Sequence, residues 1–116
     1  NAAYEVHKEL GPGLLEKVYE SCIAQVLRED KIVVVRQQLI PVNFKGKVYD
    51  DALRLDLLVD DLVICEIKAA EAINPVWHAQ IISHLKLTGK NLGYLINFNV
   101  PLIKQGIKRF IFNHNK

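Results

Sequence analysis

The sequence predicts a mixed α/β domain of the α+β kind, an αβββαβ core with helices flanking a mixed central sheet. Three observations point to it. Two adjacent apolar stripes run at helical spacing between Leu14 and Glu29; three strand-like runs follow, separated by the turn pairs Lys45-Gly46 and Asp60-Asp61; and Asn74-Pro75 then starts a second long helix that leads into an apolar strand. At 116 residues, half of them hydrophobic, the chain suits one core and one domain, residues 1–116, and is too short for two.

Each element has its own signal. Residues 2–10 can form a short helix, broken by Gly11-Pro12-Gly13. From Leu14 onward, Leu14, Val18, Cys22 and Val26 make one stripe and Leu15, Tyr19, Ile23 and Leu27 the next, a wide face suited to packing across a sheet. Glu16 lies on or beside that face, seven residues before Ile23. Ile32–Val35 continuing through Leu39–Phe44, then Ala52–Val59, then Leu62–Ala69 read as an antiparallel meander. Asn74 is a suitable cap and Pro75 a suitable first helical residue; the helix should run to about Thr88 and stop at Gly89. Leu92–Phe98 reads as a strand, and Ile107–Phe112 as a further one. A helix between the third and fourth strands implies a parallel crossover, hence a mixed sheet.

Composition narrows the function without naming it. Fifteen Lys and Arg nearly balance thirteen Asp and Glu, which argues against a disordered chain or a histone-like polycation. No apolar run approaches the roughly 18 residues of a membrane span, and no signal-peptide pattern is present. Cys22 and Cys65 stand far apart in apolar settings, so neither a disulfide framework nor a paired-cysteine metal site is expected, and a reducing, cytoplasmic setting fits. The start at Asn1, without a methionine, is expected of a trimmed chain. Charge is unevenly spread. Residues 1–71 hold all thirteen acids against nine Lys and Arg, whereas residues 72–116 hold six Lys and Arg and no acid. An acidic centre beside a basic half can hold a divalent cation next to a polyanion; turn chemistry and a solvated surface explain the same distribution.

The informative segment is Asp56 to Lys68. Alternation puts Leu62, Ile64, Glu66 and Lys68 on one face, with Glu66 and Lys68 roughly 7 Å apart at Cα, and Cys65 on the other as a small buried residue. Counting outward from the Asp60-Asp61 turn brings Asp56 opposite Glu66 and Leu58 opposite Ile64, within one position of register. Two carboxylates and a lysine then converge, a set able to hold Mg²⁺ or Mn²⁺ through oxygen and to orient a water for attack on phosphorus.

The pattern D-x9-E-x-K, standing here as Asp56, Glu66, Ile67 and Lys68 behind an N-terminal helix, resembles the PD-(D/E)XK nuclease superfamily, whose fold is restriction-endonuclease-like. Gly13-Leu14-Leu15-Glu16-Lys17-Val18-Tyr19 is similar to the motif of the small GxxExxY family, and the likeness continues through Gln38, Arg54-Leu55-Asp56, Glu66-Ile67-Lys68-Ala69 and His78-Ala79-Gln80 to Thr88-Gly89. The resemblance implies a Mg²⁺- or Mn²⁺-dependent nuclease acting on nucleic acid, DNA in the first place. It implies that Asp56, Glu66, Glu16 and the main-chain carbonyl of Ile67 hold the metal, that Lys68 positions or deprotonates the attacking water, and that Gln80 matches the glutamine opening a Q-x-x-x-Y motif. The fifth position of that motif is His84 rather than tyrosine. Lys86, Lys90, Lys104, Lys108 and Arg109, with His84, would contact the nucleic-acid backbone, and a homodimer would enlarge the binding surface.

The same residues admit plainer roles. Glu66 and Lys68 can be a structural ion pair, Asp56 a solvated acid near a turn, Glu16 a helix-edge acid favoured by the helix dipole, and Gln80 an exposed amide. His7 reads as a capping or surface residue, and Trp77 and Tyr19 as core or interface aromatics. His78 and His84, six apart, do not suit zinc. The alternative function is a non-catalytic module that keeps the fold and binds nucleic acid or another protein.

Overall fold

The computed structural model describes residues 1–114. Its elements are α1 (Ala2–Leu10), α2 (Glu16–Glu29), β1 (Val34–Phe44), β2 (Lys47–Val59), β3 (Val63–Lys68), α3 (Val76–Thr88), β4 (Leu92–Asn97) and β5 (Ile107–Ile111), with a 3-10 turn at Ile103–Gly106. The expected order is present, with the short first helix and the last strand both formed.

The five strands lie side by side in chain order. β1–β2, β2–β3 and β4–β5 are antiparallel, and β3–β4, joined by α3, is the one parallel pair. Both meander turns use left-handed backbone, Lys45 and Gly46 at φ 52° and 83°, Asp60 and Asp61 at 54° and 55°. That hand matches the twist of the strands it joins.

The sheet buries both faces. On one, α1 and α2 pack Val6, Tyr19, Ile23 and Ala24 onto Leu57, Cys65, Ile67 and Ile96. On the other, α3 packs Ile81 and Leu85 onto Leu55, Ile64, Leu95 and Phe110. Removal of such side chains from water contributes roughly 1.5–3 kcal/mol each before entropy is set against it. Of the two α2 stripes, the one through Tyr19 and Ile23 is buried. Leu14, Leu15 and Val18 remain exposed. The helix begins at Glu16 rather than Leu14, because Leu15 is extended (φ −71°, ψ 145°); the Leu14 N–H before it donates to the Tyr19 hydroxyl at 3.1 Å. That hydroxyl donates to the Gly11 carbonyl at 2.5 Å, and the Tyr19 ring stacks on Phe98 with centroids 4.3 Å apart. Tyr19 thereby fastens the Gly11–Gly13 loop to the core. Helix α3 follows an Asn74 side chain that accepts the Val76 N–H at 3.0 Å, and ends at Gly89 in the left-handed conformation (φ 75°).

His7 is neither a cap nor a surface residue. It is buried, and its Nε2 meets the Val100 carbonyl at 2.9 Å, tying α1 to the segment after β4. The outer half of the β1–β2 ribbon has a different character. Beyond the register shift between Ile40 and Val42, residues 43–52 are exposed on both faces, Phe44, Val48 and Tyr49 included.

Candidate active site

Regular pairing of β2 with β3 runs from Val59↔Val63 to Leu57↔Cys65 and stops there. Continued by one step, the same register sets Asp56 opposite Glu66, as expected from the turn. Here the side chains take over from the ladder. The Ile67 N–H donates to Asp56 Oδ2 at 2.8 Å, and the Asp56 N–H donates to Glu66 Oε2 at 3.2 Å. Each carboxylate thus accepts one backbone N–H from the neighbouring strand, and its other oxygen accepts no hydrogen bond among the described residues.

Asp56 also departs from simple alternation. Leu55 packs on the α3 side and Leu57 on the α2 side, so the side-chain sequence slips at Asp56. The cause lies across the sheet. Gln37, which the register would set opposite Asp56, has a left-handed backbone (φ 54°), and the β1–β2 pairing skips this pair between Arg36↔Leu57 and Gln38↔Leu55. Gln37 is held there by Glu20 of α2, whose Oε1 accepts from Gln37 Nε2 at 2.6 Å while its Oε2 accepts from Arg36 Nε at 3.1 Å.

The electrostatics follow from crowding. Glu66 is 8% exposed, and burial, then the nearby Asp56 charge, push its carboxyl up to about 8. The Asp56 N–H and the Lys68 ammonium only partly offset this. Glu16 is raised as well, first by burial and then by Asp56, against the pull of Lys68 and the Ala69 amide. Lys68 stands over the Trp77 ring, Nζ 5.4 Å from its centre, on the α3 side with Glu66. From α3, His84 brings Nδ1 to 4.0 Å from Glu66 Oε2. That distance is too long for a hydrogen bond, and burial lowers the imidazole pKa against the pull of Asp56. His84 Nδ1 is a buried polar atom without a partner.

On the α2 side Asp56 opens into a cleft of about 450 Å³ that Glu16 and Glu20 also line. Asp56, Glu66, Lys68, Glu16 and His84 are therefore brought into one neighbourhood. Gln80 is exposed one helical turn before His84 and makes no contact with the carboxylates. The basic residues are not gathered. Lys108 pairs with Leu95, itself the partner of Glu66, and lines a pocket with Trp77; Arg109 projects from the opposite face of the same strand. Lys86 is exposed on α3, Lys90 bonds Asp61 at 3.2 Å at the far end of the sheet, and Lys104 lies in the turn beside α1.

Sequence reasoning missed the Glu20–Arg36–Gln37 network and the cleft it frames. The one available signal was the position of Glu20, a helical turn after Glu16 and next to Tyr19 on the buried face. Cys65 behaves as expected, buried with its thiol pushed up to about 12.

A five-stranded mixed sheet with helices on both faces, and an acid pair with a lysine where its meander opens, defines a restriction-endonuclease-like domain. A family model described as PD-(D/E)XK nuclease superfamily matches residues 1–110, and the chain belongs to that superfamily. No curated protein and no solved structure matches it. Nucleases of this superfamily act on nucleic acid and generally use divalent metals. The donor chemistry fits such an ion. Two carboxylates share a buried space in which one of them cannot keep its charge unaided, and each has an oxygen to spare. Hard oxygen donors of this kind suit Mg²⁺ or Mn²⁺. Among the described residues no group of three or more His, Cys, Asp and Glu is placed so that it could hold a metal ion by itself.

Proposed function

We propose that this single domain is a metal-dependent nuclease of the GxxExxY type, hydrolysing phosphodiester bonds of nucleic acid, DNA in the first place, in the cytoplasm. The observation that supports this most is the Asp56–Glu66 pair held side by side at the end of the β2–β3 ladder, with Lys68 on the same strand. In this reading Asp56, Glu66, the Ile67 carbonyl and Glu16 hold Mg²⁺ or Mn²⁺, which when bound supplies charge neutralisation at phosphorus and a more acidic water. Lys68 orients the attacking water and offsets the negative charge that develops on the phosphoryl oxygens. Trp77 keeps the ammonium in place. Asp56 is fixed through the Ile67 N–H, so metal and lysine are positioned by consecutive residues of one strand. Gln80 and His84 face the substrate from α3, and Lys108, which lines a pocket with Trp77, contacts the nucleic-acid backbone beside them. A homodimer would extend that surface.

Cleavage of labelled single-stranded, duplex and branched DNA, and of RNA, with Mg²⁺ or Mn²⁺ tests the reading. Metal-dependent cleavage lost in Glu66→Ala and in Lys68→Ala is expected; cleavage surviving in both variants sinks it. A second reading, a non-catalytic binding module, is favoured by one observation: both carboxylates already accept backbone N–H groups and so have a structural use. Absence of metal binding at low millimolar concentration, together with absence of cleavage, supports that reading.

A further inference from the structure

The cleft on the α2 side of Asp56 is lined from two elements, each bringing one acid and one base: Glu16 and Lys17 from α2, Asp56 and Arg54 from β2. Arg54 and Lys17 are both exposed, and neither makes a side-chain hydrogen bond or ion pair among the described residues. Arg36 stands beside them but is already committed, to Glu20 and, through its NH2 group, to Ser21 Oγ at 2.8 Å. The buried Glu20 is thus neutralised by Arg36, which leaves Arg54 and Lys17 as uncommitted positive charge beside Asp56 and Glu16, in a cleft of about 450 Å³ that has room for a phosphate and its sugar.

The floor of this cleft is strained. Gln37 holds a left-handed backbone without being glycine or asparagine, at the point where β1 and β2 fail to pair opposite Asp56. Such a conformation persists only where its surroundings enforce it, and here the Glu20 hydrogen bond does so. Arg54 and Asp56, two residues apart, share the face of β2 that lines the cleft, and the alternation breaks only after Asp56, where Leu57 turns to the same side.

We infer that Arg54 and Lys17 form a phosphate-binding cradle, so that the nucleic-acid strand enters across the α2–β1–β2 cleft rather than over Lys86 and Lys90. The inference rests on the nuclease reading for its ligand, because Asp56 and Glu16 repel a phosphate unless a bound cation offsets them. A guanidinium and an ammonium suit the oxygens of a phosphodiester within the strand and those of a terminal phosphate equally. Sequence-independent contact of this kind weakens with salt in proportion to the phosphates engaged.

Binding of a labelled oligonucleotide, read by fluorescence anisotropy over a salt series with calcium in place of magnesium, tests this. Arg54→Gln/Lys17→Gln is compared with wild type and with Lys86→Gln/Lys90→Gln, each checked for an unchanged melting temperature. The cradle variant is expected to lose about tenfold or more in affinity and about two units of salt slope, and the Lys86/Lys90 variant less than half of either. Arg54→Lys, which keeps the charge, is expected to recover part of the affinity. Repeating the series with 5′-phosphorylated and 5′-hydroxyl strands identifies the source. A loss confined to the phosphorylated end points to a terminal phosphate, and an equal loss to the backbone. An unchanged slope in the cradle variant, or no binding by wild type, overturns the inference. A lost slope in a protein that cleaves nothing leaves the cradle standing and removes the nuclease reading instead.

Discussion

Asp56 and Glu66 are joined through each other's strand, the Ile67 N–H on Asp56 Oδ2 and the Asp56 N–H on Glu66 Oε2, at 2.8 and 3.2 Å. Burial first, and then the Asp56 charge held beside it, push the Glu66 carboxyl from an ordinary 4.5 to about 8. A raised carboxyl pKa means that the folded state binds the proton more tightly than the unfolded one. The metal-free protein should therefore be most stable below pH 4.5 as far as this group is concerned, lose stability as pH climbs toward 8, and lose no more above it. The span is on the order of several kcal/mol. Chemical unfolding at a series of pH values should show that decline in wild type and a clearly smaller one in Glu66→Gln, where the raised Glu16 remains. A decline that persists in full in Glu66→Gln would assign it to another group.

Replacement of Lys68 separates chemistry from stability. Lys68→Met keeps a flexible apolar stem over Trp77 and removes the ammonium. Stability should change by no more than about 1 kcal/mol, the scale of the lost cation–π contact. Cleavage should fall about 10²- to 10⁴-fold, as expected when a positioned proton-transfer group is removed. Denaturant melts and single-turnover cleavage on one preparation would measure both.

Tyr19→Phe tests the fastening of the Gly11–Gly13 loop. The ring and its stack on Phe98 remain, while the hydroxyl bonds to the Gly11 carbonyl and the Leu14 N–H are lost. A loss of about 1–3 kcal/mol is expected from two part-buried hydrogen bonds. Urea denaturation with an unchanged m-value would show it.

Gly106 has no room for a side chain. A Cβ built there would lie 2.0 Å from the Asn97 carbonyl oxygen, on backbone that cannot move aside. Asn97 is itself fixed by Ala70, whose N–H donates to Asn97 Oδ1 at 3.1 Å and whose carbonyl accepts from Asn97 Nδ2 at 3.0 Å. Gly106→Ala should cost about 1–3 kcal/mol or more, as overpacking does. The shift of the thermal midpoint would measure it, with Lys104→Ala, exposed in the same turn, as the comparison.

What the sequence makes legible here is whatever depends on near neighbours. The Asp60-Asp61 turn sets the register that places Asp56 against Glu66, and Asn74 and Gly89 bound α3, because turns and caps are local chemistry. The slip at Asp56 was hidden for the opposite reason. It depends on a left-handed Gln37, which no glycine announces and which a glutamate seventeen residues earlier enforces. His7 misled likewise, since its partner carbonyl belongs to Val100, ninety-three residues away. The basic half of the chain looked like one surface because adjacency in sequence was taken for adjacency in space; α3, β5 and the turn before it point those side chains to different sides.

The outer half of the β1–β2 ribbon, wet on both faces, has its own consequence. A chain segment that touches neither packed layer can be lengthened without repacking anything, since the entropy of a longer loop grows only slowly with its length. The Lys45-Gly46 tip is thus the place where this small protein can accept an inserted peptide, a fluorophore or a whole second domain while Asp56, some ten residues down the same strand, stays where it is.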